Sequence, residues 1–354
     1  MSEQEIDVFK SGSLGRIVLN RPKTLNAATF SMISAVARAL DEWEGDDSVR
    51  AVLIEGAGDK AFCAGGDVVA VSQAGKEQSE LSRTFFQSEY RLNRRIHGYP
   101  KPYVALIDGI VMGGGVGLSV HGSHRIATER TMFAMPETGI GLFPDVGGSY
   151  FLPRCPGRMG EYLGLTGARL NGAEMAALGL SDGYIQSAET ARLIDGLQDA
   201  LADDSAPAAD TVTQVLNAMA SDAGDAPILA HQGLIDAAFS KPTVEEIQAH
   251  LEQDGSDFAA KTLATLRQKS PTLLKAALVQ IRRGRDQTFD KNMVMEYRMV
   301  RHALRPDGDF HEGVRALLID KDKSPHWNPD NLEAVTDDMI TDFFREPPEG
   351  DLTF

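Results

Sequence analysis

The chain has 354 residues, 42% of them hydrophobic, with 51 Asp and Glu against 35 Lys and Arg for a formal net charge of −16. That length and apolar content suffice for one large domain or two modest ones, and the charge argues against a phosphate backbone or an anionic membrane surface as partner, since long-range repulsion opposes both. No apolar run reaches the roughly 20 residues of a membrane span, the start Met1-Ser2-Glu3-Gln4-Glu5 is unlike a secretory or transit segment, and Cys63 and Cys155 are too few for a disulfide framework and lack metal-ligand spacing, so a cytoplasmic protein with buried thiols is expected.

In chain order, Val8-Phe9 and Arg16-Ile17-Val18-Leu19 alternate around Ser11-Gly12 as a hairpin does. Phe30, Ile33, Ala37, Leu40 and Trp43 then recur at helical spacing until Gly45-Asp46-Asp47 stops the run. Residues 51–54 read as a buried strand that leaves through a glycine-rich loop, Lys60-Ala61-Phe62-Cys63-Ala64-Gly65-Gly66-Asp67, with Asp67 placed to cap a helix at Val68. Residues 78–96 carry Leu81, Phe85, Leu92 and Ile96 on one helical face, closed by Pro100 and Pro102. A strand over 103–107 leads through Asp108-Gly109 into a glycine-rich helix on which His121 and His124 follow.

Asn171 and Glu174 form a capping box, with Gly179 as that helix's stop. A polar, alanine-rich stretch at 199–212 reads as a connector between a core at 1–198 and a helical region at 213–354. In the latter, Leu273, Leu274, Ala277, Leu278 and Ile281 form one stripe, and Met293, Tyr297, Val300 and Leu304 another. The succession of strand, loop and helix predicts an α/β fold with helical crossovers. Periodicity leaves the winding of the strands open.

The chemistry concentrates between residues 112 and 145. Met112-Gly113-Gly114-Gly115-Val116-Gly117 opens a helix with uncovered N–H groups that can hold an oxyanion. Glu137 after Pro136 and Asp145 after Pro144 are isolated carboxylates, able to attack a carbonyl or activate water, or merely to serve as turn and capping residues. Gly65-Gly66 can likewise be a tight turn or a second donor loop. Residues 56–61 satisfy the dinucleotide pattern G-x-G-x-x-A, but Phe62 to Gly66 would break the helix it requires, and the match is taken as accidental. His121 and His124 lack a third ligand and His311-Glu312 lacks a second histidine, so no metal is expected. Arg21, Lys23, Lys60, Arg94 and Arg95 are the available cations near the glycine loops and on the following helix.

These glycine loops, with Phe133-Ala134-Met135-Pro136-Glu137-Thr138, Phe143-Pro144-Asp145-Val146-Gly147-Gly148, Asp309 to Arg315 and Ile319-Asp320-Lys321-Asp322, resemble the crotonase (enoyl-CoA hydratase/isomerase) superfamily. Within it they are similar to the 3-hydroxyisobutyryl-CoA hydrolases. The resemblance implies a spiral of ββα turns with a helical C-terminal region. It also implies an acyl-CoA substrate cleaved as in valine breakdown, and an oxyanion hole from the N–H groups of Gly66 and Gly114. Glu137 is implied as nucleophile or general base, and Asp145 as substrate-orienting or proton-relay group.

The resemblance further implies that Lys60, Phe62, Ala64, Gly65, Gly113, Gly117 and Lys321 contact the CoA ester. Coenzyme A enters as part of the substrate and no other cofactor is expected; self-association stays open. Hydratases place a first glutamate just after the glycine triplet, where this chain has Gly117, so hydrolysis is expected over hydration. The rival expectations are hydration or isomerisation of another acyl-CoA, and acyl-CoA binding without turnover.

Overall fold

A computed structural model of the protein describes residues 4–76 and 80–354, the side chains of 81 and 82 excepted. The sequence-based expectations for residues 1–3, for a helix start at 78 and for the side chain of Leu81 therefore lie outside the described residues. The chain divides into two compact units. One comprises Met1–Gly66, Arg91–Phe133 and Leu170–Ala226, and the other Asp67–Tyr90, Ala134–Arg169 and Pro227–Phe354.

The first unit is built on the strands β1 (Ile6–Ser11), β2 (Leu14–Leu19), β3 (Ala51–Gly56), β4 (Ala61–Cys63), β5 (Tyr103–Ile107), β6 (Ile110–Met112), β7 (His124–Ala127), β8 (Met132–Ala134), β9 (Leu170–Asn171) and β10 (Gly183–Tyr184). They form a larger sheet in the order β1-β2-β3-β5-β7-β10 and a smaller one in the order β4-β6-β8-β9. The hairpin β1–β2 is antiparallel, turning at Gly12 with φ 59°. From β2 to β10 the larger sheet is parallel. Consecutive strands β3 and β4, β5 and β6, β7 and β8 each split between the two sheets, which is the expected spiral of ββα turns.

The corner between β5 and β6 shows what permits the switch. Gly109 has φ 100°, and a Cβ there would lie 2.6 Å from the Lys60 carbonyl oxygen, so only glycine lets the chain turn against the loop before β4.

The helix Phe30–Glu44 starts at Thr29, whose hydroxyl accepts the Met32 N–H at 3.2 Å, and packs Trp43 against Gly15. Its buried face contains Ile33, Leu40 and Trp43 as expected, but centres on Met32 and Val36, leaving Phe30 exposed. The helices Thr190–Leu201 and Ala208–Met219 bury Leu193, Leu197 and Val212 in one apolar cluster with Leu14, Leu53, Val104 and Ile126 of the larger sheet. Such burial stabilises by roughly 1.5–3 kcal/mol per large aliphatic side chain. The stretch 199–212 thus comprises a helix end, a turn and the start of another helix.

The capping box forms, Asn171 Oδ1 accepting from Glu174 N at 2.8 Å and Glu174 Oε2 from Asn171 N at 2.9 Å. Two other expectations are corrected. The glycine-rich helix ends at Gly117, so His121 lies beyond it and His124 opens β7. Residues 61–63, read as loop, form β4, which also replaces the helix demanded by the dinucleotide pattern.

The second unit is mainly helical. Every residue of the two expected stripes is buried, on the helices Pro271–Gly284 and Phe289–Ala303 and just beyond the latter at Leu304. Ser270 caps the first, accepting the Leu273 N–H at 3.1 Å, and Thr288 the second. Among the described residues no helix is long and apolar enough to cross a membrane.

Candidate functional site

In the first unit, two glycine loops are pressed together by the main chain. A Cβ on Gly115 would lie 2.8 Å from Cys63 Cβ and closer still to the Cys63 carbonyl oxygen, and one on Gly65 would meet Met112 O at 3.6 Å. Absent side chains thus allow the segment Gly114–Gly117 to rest on the end of β4. Gly65, at φ 121°, turns the chain so that its carbonyl accepts Ala28 N–H at 2.8 Å, and Gly113, at φ 46°, opens the short helix. Among the described residues, no backbone acceptor is taken by the N–H of Gly66 or of Gly114. Gly117 is buried and its carbonyl accepts Asn93 Nδ2 at 3.0 Å.

In the second unit, Glu137 opens a 3-10 turn at Glu137–Ile140 after Pro136, and Asp145 follows Pro144 in the next loop. Both are 4% exposed, and one oxygen of Glu137, Oε2, has no hydrogen-bond partner among the described residues. A carboxylate removed from water and left partly unpaired is costly. Such an oxygen is available to a ligand.

The electrostatics follow from that burial. Desolvation, then repulsion from Asp145, push Glu137 well above the usual carboxylate range, against the nearby Lys269 ammonium. Asp145 is raised to about 7 by burial, opposed by the Tyr90 hydroxyl that donates to its Oδ2 at 2.9 Å. Glu89, also 4% exposed, is raised well above its ordinary value by burial and by Asp145. Glu137 and Asp145 are therefore brought into electrostatic contact, and a proton on one favours ionisation of the other.

Sequence reasoning missed four groups here. Glu89 and Tyr90 lie on the helix Glu80–His97, Lys269 precedes the capping Ser270, and Glu296 accepts hydrogen bonds in the Asp145 loop. The signal for two of them was a glutamate at a core position: Glu89 is four residues after Phe85, and Glu296 is three after Met293.

The expected CoA contacts distribute as follows. Lys60, with Lys23 and Asn26, borders a cavity of about 260 Å³ in the first unit, and Arg21 with Lys23 lines another of about 570 Å³. Phe62 and Gly113 to Gly117 belong to the glycine-loop region, Phe62 fully buried and Ala64 donating its N–H to Leu25 O at 3.0 Å. Lys321 lies in the second unit, exposed, with φ 59°. Arg95 is engaged by Asp41 at 2.9 Å and Glu44 at 2.7 Å. His124 bonds Ser123 and Thr213, and His311 bonds Ser72.

A family model described as Enoyl-CoA hydratase/isomerase matches residues 14–344. The chain is 48% identical over 353 residues to 3-hydroxyisobutyryl-CoA hydrolase, mitochondrial, of Danio rerio, covering 98% of this chain and 91% of that one. It is 46% identical over 356 residues to the protein of the same name from Homo sapiens, covering 99% and 91%. Two solved structures align over almost the full length. One, titled a carnitinyl-CoA dehydratase from Mycobacterium thermoresistibile, has a TM-score of 0.91 at 39% identity, covering 99% of each chain. The other, titled an enoyl-CoA hydratase from Rhodobacter sphaeroides 2.4.1, has a TM-score of 0.91 at 37% identity, covering 99% of this chain and 100% of that one.

Proposed function

The chain belongs to the enoyl-CoA hydratase/isomerase family, and from that premise we propose that it hydrolyses an acyl-CoA thioester, with 3-hydroxyisobutyryl-CoA as substrate and 3-hydroxyisobutyrate and free CoA as products, a step of valine degradation. The observation that carries the reading is the buried Glu137, one oxygen of which has no hydrogen-bond partner among the described residues; the resemblance adds that Gly117 stands in the sequence where a hydratase carries its first glutamate. Hydration needs one group to activate water and another to protonate carbon; hydrolysis needs a nucleophile or base at the carbonyl and an acid for the leaving group.

In the proposed reaction the N–H groups of Gly66 and Gly114 take the charge that develops on the thioester oxygen. A single donor of this kind is worth roughly 3–4 kcal/mol in a preorganised, water-excluded hole. Ionised Glu137 either attacks the carbonyl carbon, expelling the thiolate to leave a mixed anhydride that water then hydrolyses, or removes a proton from the water that attacks and passes it to the sulfur as the C–S bond breaks. In the first route the thiolate takes its proton from that water, and in both the carboxylate is regenerated. Burial makes its carboxylate a stronger base than one in water, and Lys269 opposes its complete neutralisation. Asp145, supported by the Tyr90 hydroxyl, orients the substrate hydroxyl or relays a proton. Lys60, Phe62, Ala64, Gly65, Gly113, Gly117 and Lys321 are proposed to contact the CoA ester, and no resident cofactor takes part.

The cytoplasmic location is a proposal, tested by fractionation; the two relatives are named as mitochondrial proteins. Self-association is a further proposal, read by light scattering.

Hydration of an enoyl-CoA is a second reading, favoured by the titles of the two full-length solved structures. One experiment separates them: free thiol release from a panel of acyl-CoA thioesters, measured beside hydration of crotonyl-CoA. Thiol release from 3-hydroxyisobutyryl-CoA should be the faster. Faster hydration of crotonyl-CoA overturns the hydrolase reading, and absence of both overturns catalysis on these esters.

A further inference from the structure

The loop behind Asp145 is an unfavourable piece of backbone. Val146 at φ 49° and Gly147 at φ 87° both lie in the left-handed region, which a β-branched residue rarely adopts. Such a turn persists only when its surroundings determine it. One side chain far away in sequence bonds it directly. Glu296, fully buried on the helix Phe289–Ala303, accepts the Gly147 N–H at 2.7 Å on Oε2 and the Ser149 N–H at 2.9 Å on Oε1, which also accepts the Ser149 hydroxyl. On the other side of Asp145, Gln280 Nε2 donates to Pro144 O at 2.7 Å.

Packing alone would favour an apolar side chain at this depth, because a buried carboxylate is costly unless its oxygens are bonded. A carboxylate with two oxygens in one plane can hold two N–H groups at fixed spacing; a leucine cannot. We propose that Glu296 is a positioning residue for the hydrolysis proposed above: it holds the Val146-Gly147 turn and so fixes the Asp145 carboxyl group against the Tyr90 hydroxyl. The inference rests on that reading of the reaction, with Asp145 acting in it.

The test is a double-mutant cycle on thiol release, because a residue acting through Asp145 loses its effect once Asp145 is disabled. Glu296→Leu should lower kcat about a hundredfold, the order expected for a catalytic group misplaced by about 1 Å, with KM changed less than about twofold. Glu296→Gln keeps one carbonyl acceptor and should recover about tenfold of that loss. In an Asp145→Asn background, Glu296→Gln should change the residual kcat by less than about twofold.

Amide hydrogen exchange over 145–151 reads the anchor without any substrate, and should rise in Glu296→Gln while the rest of the chain keeps its protection. Equal losses in both backgrounds, a loss confined to KM, unchanged kcat in Glu296→Gln, or exchange raised throughout the second unit each overturn the proposal. If Glu296→Leu does not fold, Glu296→Gln decides alone. A wild-type protein that releases no thiol defeats the reaction itself, and that is seen before any substitution is made.

Discussion

The hydroxyl of Tyr90 donates to Oδ2 of Asp145 across 2.9 Å, and both side chains are buried. The bond favours the ionised carboxylate, whereas burial, the larger effect, raises Asp145 to about 7. Removing the donor must therefore raise the value further. Tyr90→Phe should move the Asp145-controlled limb of the kcat/KM profile to higher pH and lower the rate near neutrality, with recovery above it. A limb at the wild-type pH means Asp145 is not the titrating group.

The same shift sets the pH dependence of stability. Folding raises Asp145 from 3.8 to about 7, so the folded state binds its proton more tightly than the unfolded chain does. The stabilisation is complete below the unfolded value and lost as pH rises through the folded one; Glu296, raised to about 8 by burial, extends the loss upward. Wild-type Tm should fall between about pH 4 and 8, and that of Asp145→Asn should fall less. Parallel curves for the two proteins, recorded by calorimetry at fixed ionic strength, contradict this account.

For Glu137, the isosteric change Glu137→Gln removes the charge and keeps the volume. Fold and CoA-ester affinity should survive, while kcat falls by about 10²–10⁴, the range for loss of a general base. Near-normal turnover would falsify the assignment of Glu137. Isothermal titration with a non-hydrolysable thioether analogue checks that binding is intact.

The donor loops allow two separable tests. Gly66→Pro deletes one N–H and should cost about 10²–10³ in kcat, given a folded protein by circular dichroism. Gly115→Ala deletes none, yet its methyl would meet Cys63, so it should destabilise by about 1–3 kcal/mol. Its kcat should fall as the Gly114 N–H is displaced. A stable Gly115→Ala variant with wild-type kcat would show that the contact with β4 does not set the donor position.

Selectivity tests the role given to Asp145. A site that pairs a substrate hydroxyl rejects the analogue lacking it, because a buried polar partner is stranded. Isobutyryl-CoA should be cleaved more than about tenfold more slowly than 3-hydroxyisobutyryl-CoA, with 3-hydroxypropionyl-CoA between them, and Asp145→Asn should narrow the gap. Equal rates for the first two esters defeat the substrate assignment and leave thioester hydrolysis standing.

Legibility in the sequence followed length and periodicity. The strand at 103–107 is an unbroken apolar run and appears with the expected ends, as does the hairpin around Gly12. The strands β4, β6 and β8 have three residues each, too few for a period to develop, and their order in a second sheet depends on main-chain contacts such as Gly109 against Lys60. Glu137 and Asp145 are isolated by prolines and glycines, which alone would suit turn residues; the resemblance is what singled them out. Their electrostatic setting was not legible, since Glu89, Tyr90, Lys269 and Glu296 come from three distant segments and share no motif.

The unpaired Oε2 of Glu137 also says how this protein will respond to selection. A short aliphatic side chain at 137 removes a buried carboxyl group with an unpaired oxygen, so clones carrying it should gain heat tolerance while losing chemistry. A library screened only for survival at high temperature will be enriched in such clones. One screened jointly for heat tolerance and thiol release will return glutamate at 137 and find its stabilising changes elsewhere, so sequencing position 137 after each round reveals which pressure the library felt.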